Sequence, residues 1–172
     1  MNVRAGVFSV GRGVVLAGWM VVAAGCGDTS PVGVELRVDG LRVGEVARAV
    51  RVGVPYGAGV YQAVIGPDGG VLSFGVGTLT FPAGALERPT MITARVDGYS
   101  IAADFGPSGL SFPAHSQPTL SFSLPSTNEV VTIAYVDDDL RIRSLLETSI
   151  ENRSMRARAR LRHFSPYILA QN

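Results

Sequence analysis

Beyond residue 33 the chain alternates apolar and polar positions in short runs. Val34, Leu36 and Val38 alternate with Glu35, Arg37 and Asp39, the period of a half-buried strand. Asp39-Gly40 then predicts a hairpin turn. Val43 to Val54 alternates poorly and is read as a second strand, ended by "PYGAG". From Tyr61 the pattern sharpens. "YQAVIGPDGG" is an apolar run closed by a turn cluster, and "VLSFGVGTLTF" predicts two strands around Gly75-Val76-Gly77. "PAGALERPT" is a connection, since Pro82 and Pro89 exclude central strand positions. "MITARVDGYSIAADFG" predicts two more strands around Asp97-Gly98, and "PSGLSFPAHSQP" a loop. "TLSFSL" and "VVTIAYV" read as strands, with "DDD" ending the second. "LRIRSLLETSI" and "MRARARLRHF" read as two longer strands joined by "ENRS". No stretch of ten residues after the first 25 has helical periodicity. Many short strands with turn chemistry between them predict an all-β fold, an antiparallel β-sandwich.

The first 25 residues break this pattern. Arg4 and Arg12 precede an uncharged, mostly apolar run from Gly13 to Gly25. Thirteen residues fall short of the roughly 20 that span a bilayer as a helix. They fit a secretory signal, a helix that is cleaved off on export. Ala23-Ala24-Gly25-Cys26 follows, and small residues before a cysteine resemble the lipobox of bacterial lipoproteins. That resemblance implies cleavage before Cys26, a diacylglyceryl group on its thiol and acylation of the new amino group, typically by palmitate. Ala23 departs from the commoner Leu or Val at its place. Cys26 is the only cysteine, so no internal disulfide can form. The alternative is a small buried cysteine at a helix end. Gly27 stands where an Asp, in many Gram-negative lipoproteins, retains the protein at the inner membrane. The resemblance therefore favours the outer membrane.

All fifteen basic residues are arginine. Removing Arg4 and Arg12 leaves one arginine fewer than the fourteen acids, so the mature chain is near neutral. A nucleic-acid partner would call for a basic surplus. The expected organisation is a signal peptide over 1–25, a lipidated tether over 26–33, a strand-forming extension over 34–60 and a β-sandwich over 61–172.

Several blocks of the sandwich region together resemble the ZU-five domain, the β-sandwich module shared by ankyrins, netrin receptors and bacterial envelope lipoproteins. They are "AVIGPDGGVLSFGVGTLTFPAGALERPTMIT", "FGPSGLSFPAHSQPTLSFS", "VVTIAYVDDD" and "RARARLRHFSPYILA". The resemblance covers about residues 61 to 171. It implies a ZU-five sandwich that binds another protein or envelope component, or packs against one, without enzymatic chemistry. Some relatives cleave themselves within His-Phe-Ser. Carried to His163, Phe164 and Ser165, this implies attack of Ser165 Oγ on the Phe164 carbonyl with His163 moving the proton. Strand parity offers another account. Met155, Ala157, Ala159 and Leu161 share one face and the arginines the other. Phe164 falls on the arginine face, so a bend that turns it into the core explains the triplet without chemistry. A cut would free only Ser165 to Asn172.

The arginines are the other candidate. Arg156, Arg158, Arg160 and Arg162 line one face of a strand, and Arg141 and Arg143 alternate on the preceding one. If "ENRS" is a tight turn, the two strands pair and gather six guanidiniums on one face. Like charges opposed across a sheet repel, so Glu147, Glu151 and Asp137-Asp138-Asp139 are expected nearby. The result is either a solvated outer face or an anion- or glycan-binding patch beside a charged membrane. Asp137–Asp139 lacks the ligand spacing of a calcium loop. His115 stands alone in its loop, and no His/Cys/Asp cluster has zinc spacing. Ser108 in "GPSGL" is not a nucleophile elbow, and no glycine-rich segment precedes a helix as a phosphate cradle requires. A hydrolase would need a pocket joining His163 or His115 to a serine and an acid. No cofactor is expected.

Overall fold

The computed structural model describes residues 40–125 and 130–171. The expected signal segment, Cys26 and the expected strand Val34–Val38 lie outside them. Among the described residues there is no helix. Twelve strands run in the order β1 Arg48–Ala49, β2 Gly59–Ile65, β3 Gly70–Phe74, β4 Gly77–Phe81, β5 Thr90–Val96, β6 Ala102–Gly106, β7 Thr119–Ser123, β8 Val131–Val136, β9 Ile142–Leu145, β10 Ser149–Glu151, β11 Arg156–Arg160 and β12 Pro166–Gln171.

They form two antiparallel sheets. The larger has seven strands, ordered β2-β5-β6-β12-β8-β9 with β1 pairing to the end of β12, and the smaller has five, ordered β10-β11-β7-β4-β3. The inner faces meet in one apolar core. The larger sheet contributes Ile92, Ala94, Phe105, Ile133 and Leu169, and the smaller Leu72, Phe74, Leu79, Leu120 and Phe122. This is a sandwich-like arrangement, and the alternation along β3, β4 and β5 follows from it: one side chain in two faces the opposite sheet.

β8 and β12 do not alternate, because both their faces are covered. Ile133 and Leu169 enter the main core. Ala134, Val136, Ile168 and Ala170 point the other way, into a second cluster with Ala47 and Ile142. Residues 41–49 supply much of that cover. Leu41 and Ala49 pack on the second cluster, and the segment is tied down by Gly44 N–H to the Ile142 carbonyl (2.7 Å) and Ala47 N–H to the Leu140 carbonyl (2.8 Å). The region read as a poorly alternating strand is therefore mostly a strap over the larger sheet, with strand geometry only at Arg48–Ala49 and single bridges at Val46 and Arg51.

The turn signals have local causes. Gly69 has φ 83°, the left-handed region that glycine enters without a Cβ penalty, and its N–H closes the Gly66–Gly69 turn at 3.0 Å. The Pro82–Leu86 turn folds over it. Gly84 donates its N–H to the Pro67 carbonyl at 2.7 Å, and Ala85 and Leu86 are buried beneath.

A further sequence expectation is overturned. "LRIRSLLETSI" is not one strand. Its first half, β9, pairs with β8 in the larger sheet. Its last part, β10, pairs with β11 in the smaller. Residues 146–148 cross between the sheets, and Thr148 makes the crossing possible. Its hydroxyl accepts the Ile133 N–H at 2.9 Å, where β9 has ended and no strand carbonyl remains, and donates to the Leu146 carbonyl at 2.9 Å. A Thr148→Val protein keeps the shape but leaves a polar group without a partner. Urea unfolding should show a loss of about 1–3 kcal/mol. An unchanged midpoint would mean that Thr148 does not hold the crossing.

Candidate functional site

The segment from Leu161 to Ser165 carries the chain from β11 in the smaller sheet to β12 in the larger. Loop 107–118 runs beside it. Leu161 donates to the Pro118 carbonyl (2.9 Å), Phe112 to the Arg162 carbonyl (2.8 Å) and Phe164 to the Leu110 carbonyl (2.8 Å), and Ser111 bridges His163. The inward side chains are Ala157, Ala159, Leu161 and then Phe164, so the repeat of two lengthens once to three. That shift turns Phe164 into the core. It is 4% exposed, and its ring lies 5.2 Å from Phe112, 5.7 Å from Phe105 and 6.1 Å from Phe81, centroid to centroid.

The same shift leaves His163 and Ser165 half-buried beside each other. His163 Nδ1 lies 2.9 Å from Ser165 Oγ, and Ser165 Oγ–H donates to the Phe164 carbonyl at 2.7 Å. A hydroxyl has one proton. While that proton points at the Phe164 carbonyl, His163 must carry a proton on Nδ1 and donate it to Oγ. For His163 to act as a base, the proton must swing to a bare Nδ1. Tyr167 fixes the strand end by donating its hydroxyl to the His163 carbonyl at 2.7 Å. Burial, and then the neighbouring Tyr135, push that hydroxyl well above the ordinary tyrosine range, so it remains a donor. The Tyr135 ring meets the His163 ring edge-on at 4.9 Å. Among the described residues no carboxylate bonds His163, and no left-handed residue occurs in 161–165.

His163, Tyr135 and Tyr167 also border a cleft of about 710 Å³. It arises from the strand crossing. β10 pairs with β11 only as far as Ser149 opposite Arg158, so the last part of β11 has no neighbour on that side. Ser144 and Leu145 at the end of β9, and residues 146–148 that cross between the sheets, also line it. Arg158, Arg160 and Arg162 stand on the β11 side, and Glu147 and Glu151 on the other. Arg158 is paired with Glu151 at 2.6 Å, with both side chains 41% exposed. Arg160 and Arg162 are exposed and make no salt bridge among the described residues.

The six arginines do not form one face. β9 lies in the other sheet, so Arg141 and Arg143 are separated from Arg156, Arg158, Arg160 and Arg162. Arg143 pairs with Asp137 at 2.8 Å, and Arg141 reaches the Gly44 carbonyl at 3.3 Å, across to the strap. Arg156 is on β11 but does not border the cleft. Asp137–Asp139 is a turn. Asp137 Oδ1 accepts the N–H groups of Arg141 (2.8 Å) and Asp139 (3.1 Å). The Arg141 N–H first, then the Arg143 charge and the Asp139 N–H, hold the Asp137 carboxyl below the usual range against slight desolvation. His115 is exposed in the Pro113–Ser116 turn. Among the described residues no group of three His, Cys, Asp or Glu side chains could hold a metal ion, and no helix is long and apolar enough to cross a membrane. The cleft itself was not legible beforehand, since it depends on where one strand changes sheets. No family model and no curated protein matches the chain.

Proposed function

We propose that the protein is an exported envelope protein, anchored through lipid on Cys26, whose ZU-five-like sandwich is a non-enzymatic interaction module. The N-terminal pattern and the ordered sequence blocks support the anchor and the domain type. The observation that carries the binding role is the cleft between β11 and the end of β9 with the crossing that follows it. It is large enough for a ligand or a peptide segment, opens to solvent and presents two guanidiniums that make no salt bridge among the described residues. Its partner is another envelope protein or an envelope component, and the outer membrane is the expected location. A photo-crosslinking residue at position 162 should give a discrete adduct in intact cells, and one at the exposed Val71, on the far edge strand β3, should not. Equal labelling from both positions would refute the assignment of the cleft.

A second reading rests on the His163–Ser165–Phe164 contacts. Ser165 Oγ would add to the Phe164 carbonyl carbon while His163 Nδ1 takes its proton. That proton passes to the Ser165 nitrogen, the peptide bond breaks and an ester forms. Water then hydrolyses it to a Phe164 carboxylate and the Ser165 hydroxyl. β12 lies between β6 and β8 with Tyr167, Ile168, Leu169 and Ala170 buried, so a nicked strand would stay in place. A nick is therefore visible only under denaturing conditions. If this reading holds, denatured protein shows a fragment ending at Phe164 and Ser165→Ala abolishes it. An unbroken chain after long incubation sinks it.

A further inference from the structure

The cleft has a more specific chemistry than a general docking surface. Arg160 ends β11 and Arg162 follows two residues later, at the bend that leads towards β12, and both border the cleft. Both are exposed, and neither is drawn into an ion pair among the described residues. The third guanidinium, Arg158, is held by Glu151 at 2.6 Å, which fixes it as a wall rather than a free anion site. Other lining groups suit hydroxyls, namely the Gln117 amide, the Ser144 hydroxyl and the half-buried ring of Tyr135, which packs edge-on with His163, beside the apolar Leu145, Leu146 and Ala159. Guanidinium pairs recognise carboxylate or phosphate oxygens through paired N–H donors. An aromatic wall amid amide and hydroxyl groups suits the apolar face and hydroxyl rim of a sugar ring.

From this we infer that the cleft binds an acidic saccharide, a sugar carrying a carboxylate or phosphate, with Arg160 and Arg162 on the oxyanion and Tyr135 against the ring. The inference rests on the binding-module reading and narrows it to a ligand class. Glu147 also lines the cleft and repels further anionic charge, so a sugar with one or two charged groups fits better than a dense polyanion.

The test is isothermal titration calorimetry on the full chain in detergent micelles. The probes are trigalacturonate, glucose 6-phosphate, inorganic phosphate and neutral maltotriose. Saturable binding of trigalacturonate or glucose 6-phosphate is expected, whichever oxyanion the sugar carries, with inorganic phosphate and maltotriose each at least ten-fold weaker. In the double variant Arg160→Gln/Arg162→Gln the sugar affinity should fall at least ten-fold. Arg141→Gln/Arg143→Gln, on the other sheet, should leave it unchanged. All four positions are exposed, and thermal unfolding checks that each variant is folded. Three results would overturn the inference: no saturable binding of either acidic sugar, affinity unchanged in the Arg160/Arg162 variant, or maltotriose binding as tightly as trigalacturonate. The in-cell adduct from position 162 is read independently, so loss of the saccharide class and loss of the binding role are distinguishable.

Discussion

Phe164→Ala should be the most damaging single substitution in the described structure, lowering stability by about 3–5 kcal/mol. Phe164 is the one buried side chain between Leu161 and Tyr167, on the segment that joins the two sheets. Its ring touches Phe112 in the neighbouring loop, Phe81 at the end of β4 in the smaller sheet and Phe105 on β6 in the larger. Truncation removes the edge-to-face contacts to Phe81 and Phe112 and the tilted contact to Phe105, and leaves a cavity that the backbone cannot close, because Phe112 and Phe164 N–H groups are fixed across the same gap. A domain of this size is typically stable by only about 5–15 kcal/mol. The variant should therefore unfold at a much lower urea midpoint with an unchanged slope. Phe164→Leu, which keeps most of the volume, should lose less. A loss under about 1 kcal/mol for Phe164→Ala would show that the triplet is not a packing element. The neighbouring His163–Ser165 contact would then need another reason.

Cys26→Ala should move the protein from the membrane to the soluble fraction. The argument is one of chain number. Each buried methylene contributes about 0.8 kcal/mol, a single acyl chain gives only marginal binding, and two or more give stable anchoring. With the only cysteine gone, nothing remains to carry a diacylglyceryl group. Carbonate-washed membranes should retain the parent chain and lose the variant, and alkyne-palmitate labelling should fall to background. A variant that stays with the membrane would put the anchor elsewhere, in an uncleaved Gly13–Gly25 segment or in a tightly bound partner.

The strands were legible where one face is buried and the other wet. β3 with β4, and β5 with β6, follow from alternation plus glycine and aspartate at the turns. Gly69 and the Asp97 carboxylate, which accepts the Tyr99 (2.9 Å) and Ser100 (3.1 Å) N–H groups, show why those residue types stand there. What could not be read was the change of sheet between β9 and β10. Alternation is the same whether a strand continues or crosses, since period two says which face is buried and not which neighbour is bonded. Leu145-Leu146, two apolar residues in succession, is the single local sign, and Thr148 is the device that satisfies the broken ladder. From that one misreading came the expected six-arginine face. The cleft is a product of the crossing, so it was hidden for the same reason. The strap over 41–49 was hidden too, because its apolar residues follow the surface of β8 and β12 rather than a period of their own.

The proposed anchoring is tested most directly by the intact mass of the full chain, expressed with its N-terminal segment in a Gram-negative host and denatured before analysis. The account predicts one species that begins at Cys26, carries a diacylglyceryl group and an N-linked acyl chain, and is unbroken at Phe164–Ser165. A species that keeps residues 1–25, or begins at Cys26 with a free thiol, would contradict it, and a fragment ending at Phe164 would replace the non-enzymatic module with a self-cleaving one.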